Sequence, residues 1–314
     1  MNILVTGGCG YKGSVLVPAL LSDGHTVTSF DTQWFGNHLN PHPSLTNLKG
    51  NILDLSELPL DGYDAIIHLA NIANDPAVEL NPTLSWEVNV LASQQLADRA
   101  VRAGVKHFMY ASSGSVYGIK DEPNVTEELE LVPISVYNKT KMVAERVFLS
   151  YSDVMNVHCI RPATVCGISP RMRLDVSVNM LTYQALANKK ITVFGGAQTR
   201  PNIHIKDIVD VYRHFLLNPH LPSGCYNAGF ENISILEISN LITNSIPAEV
   251  EVTPSNDPRS YRQDSSKLLN TGFQPRYSIK DAIEEIKIAF ESGELRDRDE
   301  YYTIKQMKNL KLDH

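Results

Sequence analysis

The chain has 314 residues, 43% of them hydrophobic, which is enough to bury a sizeable core in one large domain or two interleaved ones. Its formal charge of −7 argues against a surface that binds nucleic-acid phosphates or an anionic membrane. The apolar runs are short and interrupted by charges, and a strand is predicted from Asn2 onward. We therefore expect neither a transmembrane helix nor a signal peptide.

Four cysteines lie far apart in the sequence, without a C-x-x-C pair: Cys9, Cys159, Cys166 and Cys225. This spacing is typical of reduced thiols in a cytoplasmic protein and is unlike that of a structural zinc site. The ten histidines show no ligand spacing either. We therefore expect a cytoplasmic protein without a bound metal.

The first half of the chain alternates apolar runs with amphipathic stretches. Strands are predicted at residues 2–6, 26–31, 45–50, 64–70, 105–113 and 156–163, and helices at residues 13–24, 84–104 and 135–152. Strands that are apolar throughout and separated by helices indicate a parallel sheet covered on both faces. We predict a doubly wound, Rossmann-type α/β domain over residues 1–165, with its ligand site at the carboxyl ends of the strands.

The pattern loosens after residue 165, where Pro and Gly become frequent. Short strands are predicted at residues 191–194, 224–229 and 248–253. We predict a smaller mixed α/β domain over residues 166–314 that binds the substrate and closes over the sheet. Helical segments near 207–217 and 235–245 fit either part, and residues 200–229 could return to the first domain. The charged tail after residue 293 is assigned no function.

Three glycines separate the first strand from the first helix with G-x-x-G-x-x-G spacing. Gly7 allows a sharp turn, Gly10 the close approach of a pyrophosphate, and Gly13 tight packing of the helix. The helix that begins near Lys12 directs its free N–H groups at the phosphates. A glycine triplet alone is compatible with a bare turn, but the strand before it and the helix after it favour a dinucleotide site.

The second predicted strand ends at Asp31, where a carboxylate can accept two hydrogen bonds from the ribose diol next to adenine. A carboxylate would repel the 2′-phosphate of NADP, so NAD is the expected cofactor. A solvated turn aspartate would give the same pattern. Lys12, beside the phosphate loop, would assist the binding of either cofactor.

Tyr137 and Lys141 are four residues apart in a predicted helix and therefore share one face. We expect the lysine ammonium to lower the pKa of the phenol from about 10 toward neutrality, so that the tyrosine can take a proton from an alcohol. The same spacing recurs at Tyr301 and Lys305 in the tail, where no sheet strand precedes it. We interpret that second pair as a chance match.

Ser113 distinguishes the first pair from the second. It ends the predicted strand 105–113, where a serine hydroxyl can bind the reacting oxygen from the side opposite the tyrosine. Alone it would be an ordinary turn residue at a strand end. Together with Tyr137 and Lys141 it predicts a catalytic triad.

Six motifs resemble, in order, those of the extended short-chain dehydrogenase/reductases: TGGCGYKG (6–13), Asp31, HLAN (68–71), SSGSVYG (112–118), YNKTK (137–141) and RPATVCG (161–167). The resemblance reaches about residue 290 and is to the nucleotide-sugar epimerase/dehydratase branch, typified by UDP-galactose 4-epimerase. It implies NAD, a nucleotide-diphosphate sugar as substrate, and a homodimer formed through residues 84–104 and 135–152. The implied cofactor-binding residues are Gly7, Gly10, Tyr11, Lys12, Gly13, Asp31, Asn51, Ile52, Leu69, Ala70, Asn89, Tyr137 and Lys141, and the implied catalytic residues are Ser113, Tyr137 and Lys141.

The same resemblance assigns Asn179, Arg200 and Arg259 to the substrate diphosphate. A guanidinium binds phosphate oxygens in bidentate fashion, although each arginine alone is more often a surface residue. The other implied substrate-binding residues are Asp75, Ser113, Ser115, Tyr137 and Thr164. Asp75 could instead cap a helix before Pro76, and Asn179 could lie on a helix surface.

Residues 113–115 bear on the reaction. The 4,6-dehydratases of this family carry an acidic pair after a threonine here, and the C3/C5 epimerases a cysteine in place of Ser115. Gly114 and Ser115 cannot act as the acid and base of an elimination. We predict hydride transfer at C4 by a 4-epimerase or, alternatively, a 4-dehydrogenase or 4-ketoreductase. A dehydratase with relocated acids, a non-enzymatic NAD sensor and a reductase of small carbonyls are further alternatives.

Four residues depart from the family pattern: Asn51, Asn71, Asp75 and Thr164. Asn51 replaces an acid near the adenine, and Thr164 replaces a substrate-contacting asparagine. Asn71 and Asp75 add polar groups to the pocket loop. These departures indicate a modified or less common sugar rather than UDP-galactose.

Overall fold

Apolar strands buried on both faces organise the first half of the protein. The structure, a computed structural model, describes residues 1–56, 58–254 and 260–313. Its strands are β1 (Asn2–Thr6), β2 (Thr26–Asp31), β3 (Leu45–Lys49), β4 (Ala65–His68), β5 (His107–Ala111), β6 (Asn156–Pro162), β7 (Thr164–Cys166), β8 (Lys190–Phe194), β9 (Thr199–His204), β10 (Gly224–Ala228), β11 (Glu231–Ser234) and β12 (Glu249–Thr253). Its helices are α1 (Gly13–Ser22), α2 (Asp75–Leu80), α3 (Pro82–Trp86), α4 (Ala92–Arg102), α5 (Val136–Leu149), α6 (Ser177–Asn188), α7 (Ile205–Leu217), α8 (Ile235–Thr243), α9 (Ser266–Leu269), α10 (Ile279–Glu291) and α11 (Thr303–Asn309).

Seven strands form one sheet in the order β10-β6-β5-β4-β1-β2-β3, and every neighbouring pair is parallel. This confirms the predicted doubly wound, Rossmann-type sheet. The chain connections change direction between β1 and β4. In such sheets that point opens a crevice at the carboxyl ends of the strands, where ligands bind.

Two apolar cores cover the faces of this sheet. Helices α1 and α7 supply side chains such as Leu16 and Phe215 to one core, and α4 and α5 supply Leu96 and Phe148 to the other. A third core lies among α6, α8 and α10, with β8. Two smaller sheets, β11-β9-β7 and β12-β8, complete the second half. Strand β10 joins the main sheet, and α7 packs against α1.

Three local expectations differ from the structure. The helix predicted over residues 84–104 is interrupted by a π-helical segment at Glu87–Leu91, between α3 and α4. Strands β7 and β9 and helices α6 and α10 were also not predicted from the sequence. The tail, to which the sequence analysis assigned no element, forms a short 3₁₀ turn at Asp299–Tyr301 that leads into α11. None of the helices in the described part of the chain has the length and hydropathy needed to cross a membrane.

Candidate active site

Two adjoining cavities open at the carboxyl ends of β1 and β4. The large cavity has a volume of about 430 Å³, and the small cavity about 120 Å³. Of the residues predicted from the sequence, Gly7, Gly10, Tyr11, Lys12, Gly13, Leu69, Asp75, Ser113, Ser115, Tyr137, Lys141, Thr164 and Arg200 line the large cavity. Gly7, Gly10, Asp31, Asn51, Ile52, Leu69 and Ala70 line the small cavity.

The glycine loop leaves its backbone open to both cavities. Gly7 has φ +75°, and a Cβ there would lie 2.6 Å from the backbone nitrogen of Ala70. A Cβ on Gly13 would lie 2.3 Å from the carbonyl oxygen of Gly7, so the helix packs on the loop itself. A Cβ on Gly10 meets only one atom of the described residues, the Gly7 oxygen at 3.2 Å. A side chain at Gly10 would therefore occupy cavity space that the predicted pyrophosphate needs.

Asp31 lies in the small cavity, at the end of β2. Its carboxylate accepts hydrogen bonds from the backbone N–H groups of Cys9 at 3.0 Å and Gln33 at 2.6 Å. Burial raises the pKa of Asp31, and these two N–H groups oppose that rise. Lys12 is on the large cavity instead, away from the position expected for a ribose 2′-substituent. This arrangement separates the carboxylate expected to bind the ribose from the lysine beside the phosphate loop.

Helix α5 presents Tyr137 and Lys141 to the large cavity. Ser135 caps this helix by accepting a hydrogen bond from the backbone N–H of Asn138 at 3.1 Å. The Lys141 ammonium is buried, donates to the carbonyl oxygen of Ala111 at 2.6 Å, and lies 5.9 Å from the centre of the Tyr137 ring. The structure therefore brings the end of β5 and one face of α5 together.

Ser113 follows β5 and lines the same cavity as Tyr137 and Lys141. Its hydroxyl is hydrogen-bonded to that of Ser115 at 2.8 Å, and Ser115 donates to the side-chain oxygen of Asn138 at 2.6 Å. The three predicted catalytic residues thus meet in one cavity.

The expected effect of Lys141 on Tyr137 is wrong for this structure. The pKa of Tyr137 is raised to about 12: burial and the charge of Asp75 raise it, whereas hydrogen bonding to Ser113 and the charge of Arg173 lower it. Burial also lowers the pKa of Lys141 well below its usual value, and the neighbouring Lys12 adds to this effect. The cation that lowers the pKa of Tyr137 is Arg173, which sequence reasoning had missed.

Not every predicted substrate residue lines a cavity. Asn179 is fully buried, and its amide donates to Arg173 O at 2.9 Å and to the Tyr11 hydroxyl at 3.0 Å. It is neither on the surface of α6 nor among the residues lining the two cavities. Arg259 lies outside the described residues. Asp75 is not the helix cap, because Asn74 caps α2 by accepting from the N–H of Ala77 at 2.9 Å.

Asn89, which the family resemblance assigns to the cofactor site and to ordering the active-site region, positions the loop after β4. It lies in the π-helical segment, accepts from Ile72 N–H at 2.8 Å, and donates to the Ile72 carbonyl and the Thr140 hydroxyl at 3.1 Å. Asn89 thereby joins that loop to α5. An irregular helical turn is a frequent feature of functional sites.

A buried ion pair supports the same helix. Glu145, one turn beyond Lys141, accepts from Arg161 of β6 through both carboxylate oxygens, at 2.9 and 2.8 Å. Ser112 also donates to Glu145, and Arg161 donates to the Tyr117 hydroxyl at 2.7 Å. This network fixes α5 against β6, next to the cavity.

Sequence reasoning also missed cavity residues that come from three segments far apart in the chain. They are Trp34 and Phe35 from the loop after β2, Arg171, Arg173 and Asp175 from the loop before α6, and Thr303 and Met307 from the tail. The arginines of the PRMR segment were the only local signal, and their position beside the glycine loop depends on the fold. The tail is far from the glycine loop in the sequence, but Thr303 and Met307 line the same cavity as that loop.

The described residues fit NAD. The small cavity offers Asp31, the glycine loop offers open backbone, and the large cavity offers cations around Tyr137. Asn71 lines both cavities, and both polar atoms of its buried amide lack a hydrogen-bond partner within the described chain. A ligand with donors and acceptors would satisfy that amide. No cluster of three or more metal-ligating side chains occurs in the described ranges.

Comparisons with known proteins agree with this geometry. The family model described as "NAD dependent epimerase/dehydratase family" matches residues 3–229. The uncharacterized UDP-glucose epimerase YtcB of Bacillus subtilis (strain 168) is 32% identical over 309 residues, covering 90% of this chain and 96% of that protein.

Two solved structures are also similar. UDP-glucuronic acid 4-epimerase from Bacillus cereus, in complex with UDP-glucuronic acid and NAD, has 27% identity and a TM-score of 0.81, with 92% of this chain and 99% of that one covered. The NAD-dependent NDP-hexosamine 5,6-dehydratase TunA, involved in tunicamycin biosynthesis, has 26% identity and a TM-score of 0.84, with 94% and 98% covered. This chain therefore belongs to the NAD-dependent epimerase/dehydratase family, whose members are NAD-dependent nucleotide-sugar enzymes of the extended short-chain dehydrogenase/reductase type.

Proposed function

We propose that this protein is a nucleotide-sugar 4-epimerase. The observation that carries the proposal is the segment that follows Ser113 in the large cavity. A Cβ on Gly114 would lie 3.0 Å from the side chain of Gln263 and 3.2 Å from the carbonyl oxygen of Pro162, so a side chain there would require these neighbours to shift. The Ser115 hydroxyl is held by Ser113 and Asn138. Gly114 and Ser115, which stand where a dehydratase carries its acids, thus supply neither the acid nor the base of an elimination.

Acids elsewhere in the cavity do not replace that pair. Asp75 and Asp175 are the acids among the described residues that line the large cavity. Asp175 is bound to Arg173 at 2.7 Å and to the N–H of Thr303 at 2.9 Å. Elimination across C5 and C6 needs both an acid and a base, and Asp75 alone would supply one of them.

Tyr137 is the group that moves the proton. NAD, held by Asp31 and the glycine loop, would accept a hydride from a sugar carbon and give it back. The Tyr137 oxygen removes the proton from the sugar 4-hydroxyl, and Ser113 holds that oxygen by a hydrogen bond. Tyr137 then returns the proton to the 4-keto oxygen after the sugar has presented its other face. If the keto sugar left first, the same residues would perform a 4-dehydrogenase reaction, which is the second candidate.

Arg200, in β9, and Thr164, in β7, line the large cavity and are the proposed contacts to the substrate. UDP-sugars are the first substrates to test, because YtcB and the Bacillus cereus enzyme are named for them. The departures at Asn71 and Asp75 favour a modified sugar.

The test incubates NAD-loaded protein with UDP-, GDP-, CDP- and dTDP-sugars, separates the sugar nucleotides by chromatography, measures their masses and follows the absorbance of reduced nicotinamide. A product that separates from the substrate but has the same mass, without accumulation of NADH, is expected. Loss of two hydrogens with accumulation of NADH would indicate the dehydrogenase instead. Loss of water would overturn both proposals in favour of a dehydratase.

A further inference from the structure

The loop that precedes α6 is tied to the glycine loop. The Tyr11 hydroxyl donates to the carbonyl oxygen of Gly167 at 2.8 Å, and the Ser169 hydroxyl donates to the carbonyl oxygen of Tyr11 at 2.8 Å. The backbone N–H of Arg171 donates to the hydroxyl of Ser14, in the first turn of α1, at 3.3 Å. These bonds place Arg171 beside the start of α1, where free backbone N–H groups and the helix dipole favour an anion.

The Arg171 guanidinium is buried but poorly satisfied. The residue is 3% exposed, and its guanidinium lies 3.9 Å from the centre of the Phe35 ring. Within the described chain its Nε has no hydrogen-bond partner, and its other contacts are long: 3.3 Å to Met172 O and 3.5 Å to the Thr303 hydroxyl. A buried charged donor without good acceptors is costly, and a bound anion would remove that cost.

Arg173, two residues further along the same loop, also has a guanidinium nitrogen without a hydrogen-bond partner among the described residues. Its Nε donates to Asp175 at 2.7 Å, while its Nη2 has no partner in the described ranges. Its charge interacts with those of Tyr11 and Tyr137. Asp175 is the ion-pair partner of Arg173, and no carboxylate forms a hydrogen bond with Arg171 within the described chain.

Burial and the charge of Arg173 lower the pKa of Arg171 to about 9. An arginine nevertheless keeps its proton in proteins, so Arg171 remains a cation at neutral pH. Together, Arg171 and Arg173 form what we call the arginine pair, which lines the large cavity with Gly10 and Lys12.

We propose that the arginine pair binds a diphosphate, and that this diphosphate is the one in NAD. Guanidinium groups bind phosphate oxygens in bidentate fashion, and the stacked Phe35 ring fixes the plane of Arg171. The cofactor is favoured over the nucleotide sugar because Arg171 is bonded to α1 and stacks on Phe35, which also lines the small cavity. The inference rests on NAD binding and not on the proposed C4 chemistry.

The test compares ligands that share parts of NAD. Full-length protein freed of retained nucleotide is titrated calorimetrically with NAD, ADP-ribose and adenosine. Arg171→Met and Arg173→Met should each weaken NAD and ADP-ribose by about 10- to 100-fold, the loss expected for a charged hydrogen bond, and leave adenosine unchanged. Arg171→Lys should recover part of the loss, because it keeps the charge but not the fork. Arg296→Met, at an exposed arginine of the tail, is the matched control and should bind all three ligands normally.

Two results would overturn the assignment. Equal weakening of adenosine would mean that Arg171 only supports the packing of the small cavity. Normal NAD affinity with weakened binding of UDP to NAD-saturated protein would move the arginine pair to the sugar nucleotide. If a methionine variant does not fold, the lysine variants still test the proposal. Native adenosine affinity would show that Arg171→Lys has an intact small cavity. Unchanged NAD affinity in Arg171→Lys and in Arg173→Lys would then exclude a bidentate contact to the diphosphate. Failure of the epimerase proposal would appear in the sugar products, not in these titrations.

Discussion

Tyr137 sits among groups that act on its phenol in opposite directions. Burial and Asp75 raise its pKa while Ser113 and Arg173 lower it, and the net result is a pKa of about 12. A tyrosine in this setting holds its proton firmly when the cavity contains only protein. Its basicity in the working enzyme therefore depends on neighbouring charges that can be changed one at a time.

Replacing Tyr137 by Phe keeps the ring and removes the hydroxyl that exchanges the proton. Turnover of any true substrate should fall by about 10²- to 10⁴-fold, while the affinity for NAD stays close to native. Tyr301→Phe is the matched control, because it removes a tyrosine hydroxyl from the second Y-x-x-x-K match, which does not line the cavity. Steady-state rates measure the first effect and titration with NAD the second. A Tyr137→Phe enzyme with more than about a third of native turnover would remove this residue from the mechanism.

Asp75→Asn should make Tyr137 a stronger acid. The carboxylate raises the pKa of Tyr137, so neutralising it lowers that pKa. Proton removal from the sugar needs the phenolate, whose fraction grows as the pH rises through this pKa. The acidic limb of kcat/KM should therefore move to lower pH, by about half a unit to one unit. Glu79→Gln, an exposed acid of the same helix, should leave the profile in place. A shift to higher pH would contradict the proposed coupling.

We expect Asp31 to make the protein bind NAD more tightly than NADP. Its carboxylate lies in the small cavity and would repel a 2′-phosphate, whereas Asp31→Ser removes the charge. The dissociation constants of NAD and NADP should be measured for both proteins, and they should differ less in Asp31→Ser than in the native protein. Tighter binding of NADP than of NAD by the native protein would show that the role given to Asp31 is wrong.

At the level of elements, the ion pair between Glu145 and Arg161 joins the catalytic helix α5 to β6. Both side chains are almost fully buried, with exposed fractions of 1% and 5%. Glu145→Gln leaves the Arg161 charge without its counter-ion and should lower the free energy of unfolding by about 3–5 kcal/mol. Urea denaturation followed by circular dichroism measures this loss.

A surface ion pair provides the comparison. Asp98 and Arg102 form a pair within α4, and the Arg102 side chain is 76% exposed. Solvent screens such a pair, so Asp98→Asn should cost less than about 1 kcal/mol. Similar losses in Glu145→Gln and Asp98→Asn would mean that the buried network does not hold α5 in place.

For the whole molecule, the helical surface formed by residues 84–104 and 135–152 is the proposed homodimer interface. Trp86 and Leu91 lie in the first of these segments and are 37% and 58% exposed. A stable interface should bury at least about 1,000 Å² in total. Light scattering at micromolar concentration should give the mass of a dimer, and Leu91→Glu should shift it toward the monomer. Leu217→Glu, at a leucine 75% exposed on α7, is the control. A native protein that is strictly monomeric would contradict this proposal.

The sequence alone determined the doubly wound sheet, the family and the core of the site. Gly7, Gly10 and Gly13 lie between one strand and one helix, and Tyr137 and Lys141 lie one helical turn apart. Such patterns are readable because residues near each other in the sequence must satisfy the same local geometry. The strand bounds in the first half were correspondingly close to those of the structure.

Only the tertiary structure decided what surrounds that core. The Tyr11 hydroxyl bonds to a residue 156 positions away, and Gln306 of the tail bonds to the carbonyl oxygen of Trp34, 272 positions away. No local periodicity encodes such contacts, so the arginine pair, the tail at the cavity and the internal role of Asn179 were not predicted. The pKa of Tyr137 was mispredicted for the same reason. The spacing to Lys141 is a local property, whereas burial, the largest cause of the raised pKa, depends on every element that packs around the ring.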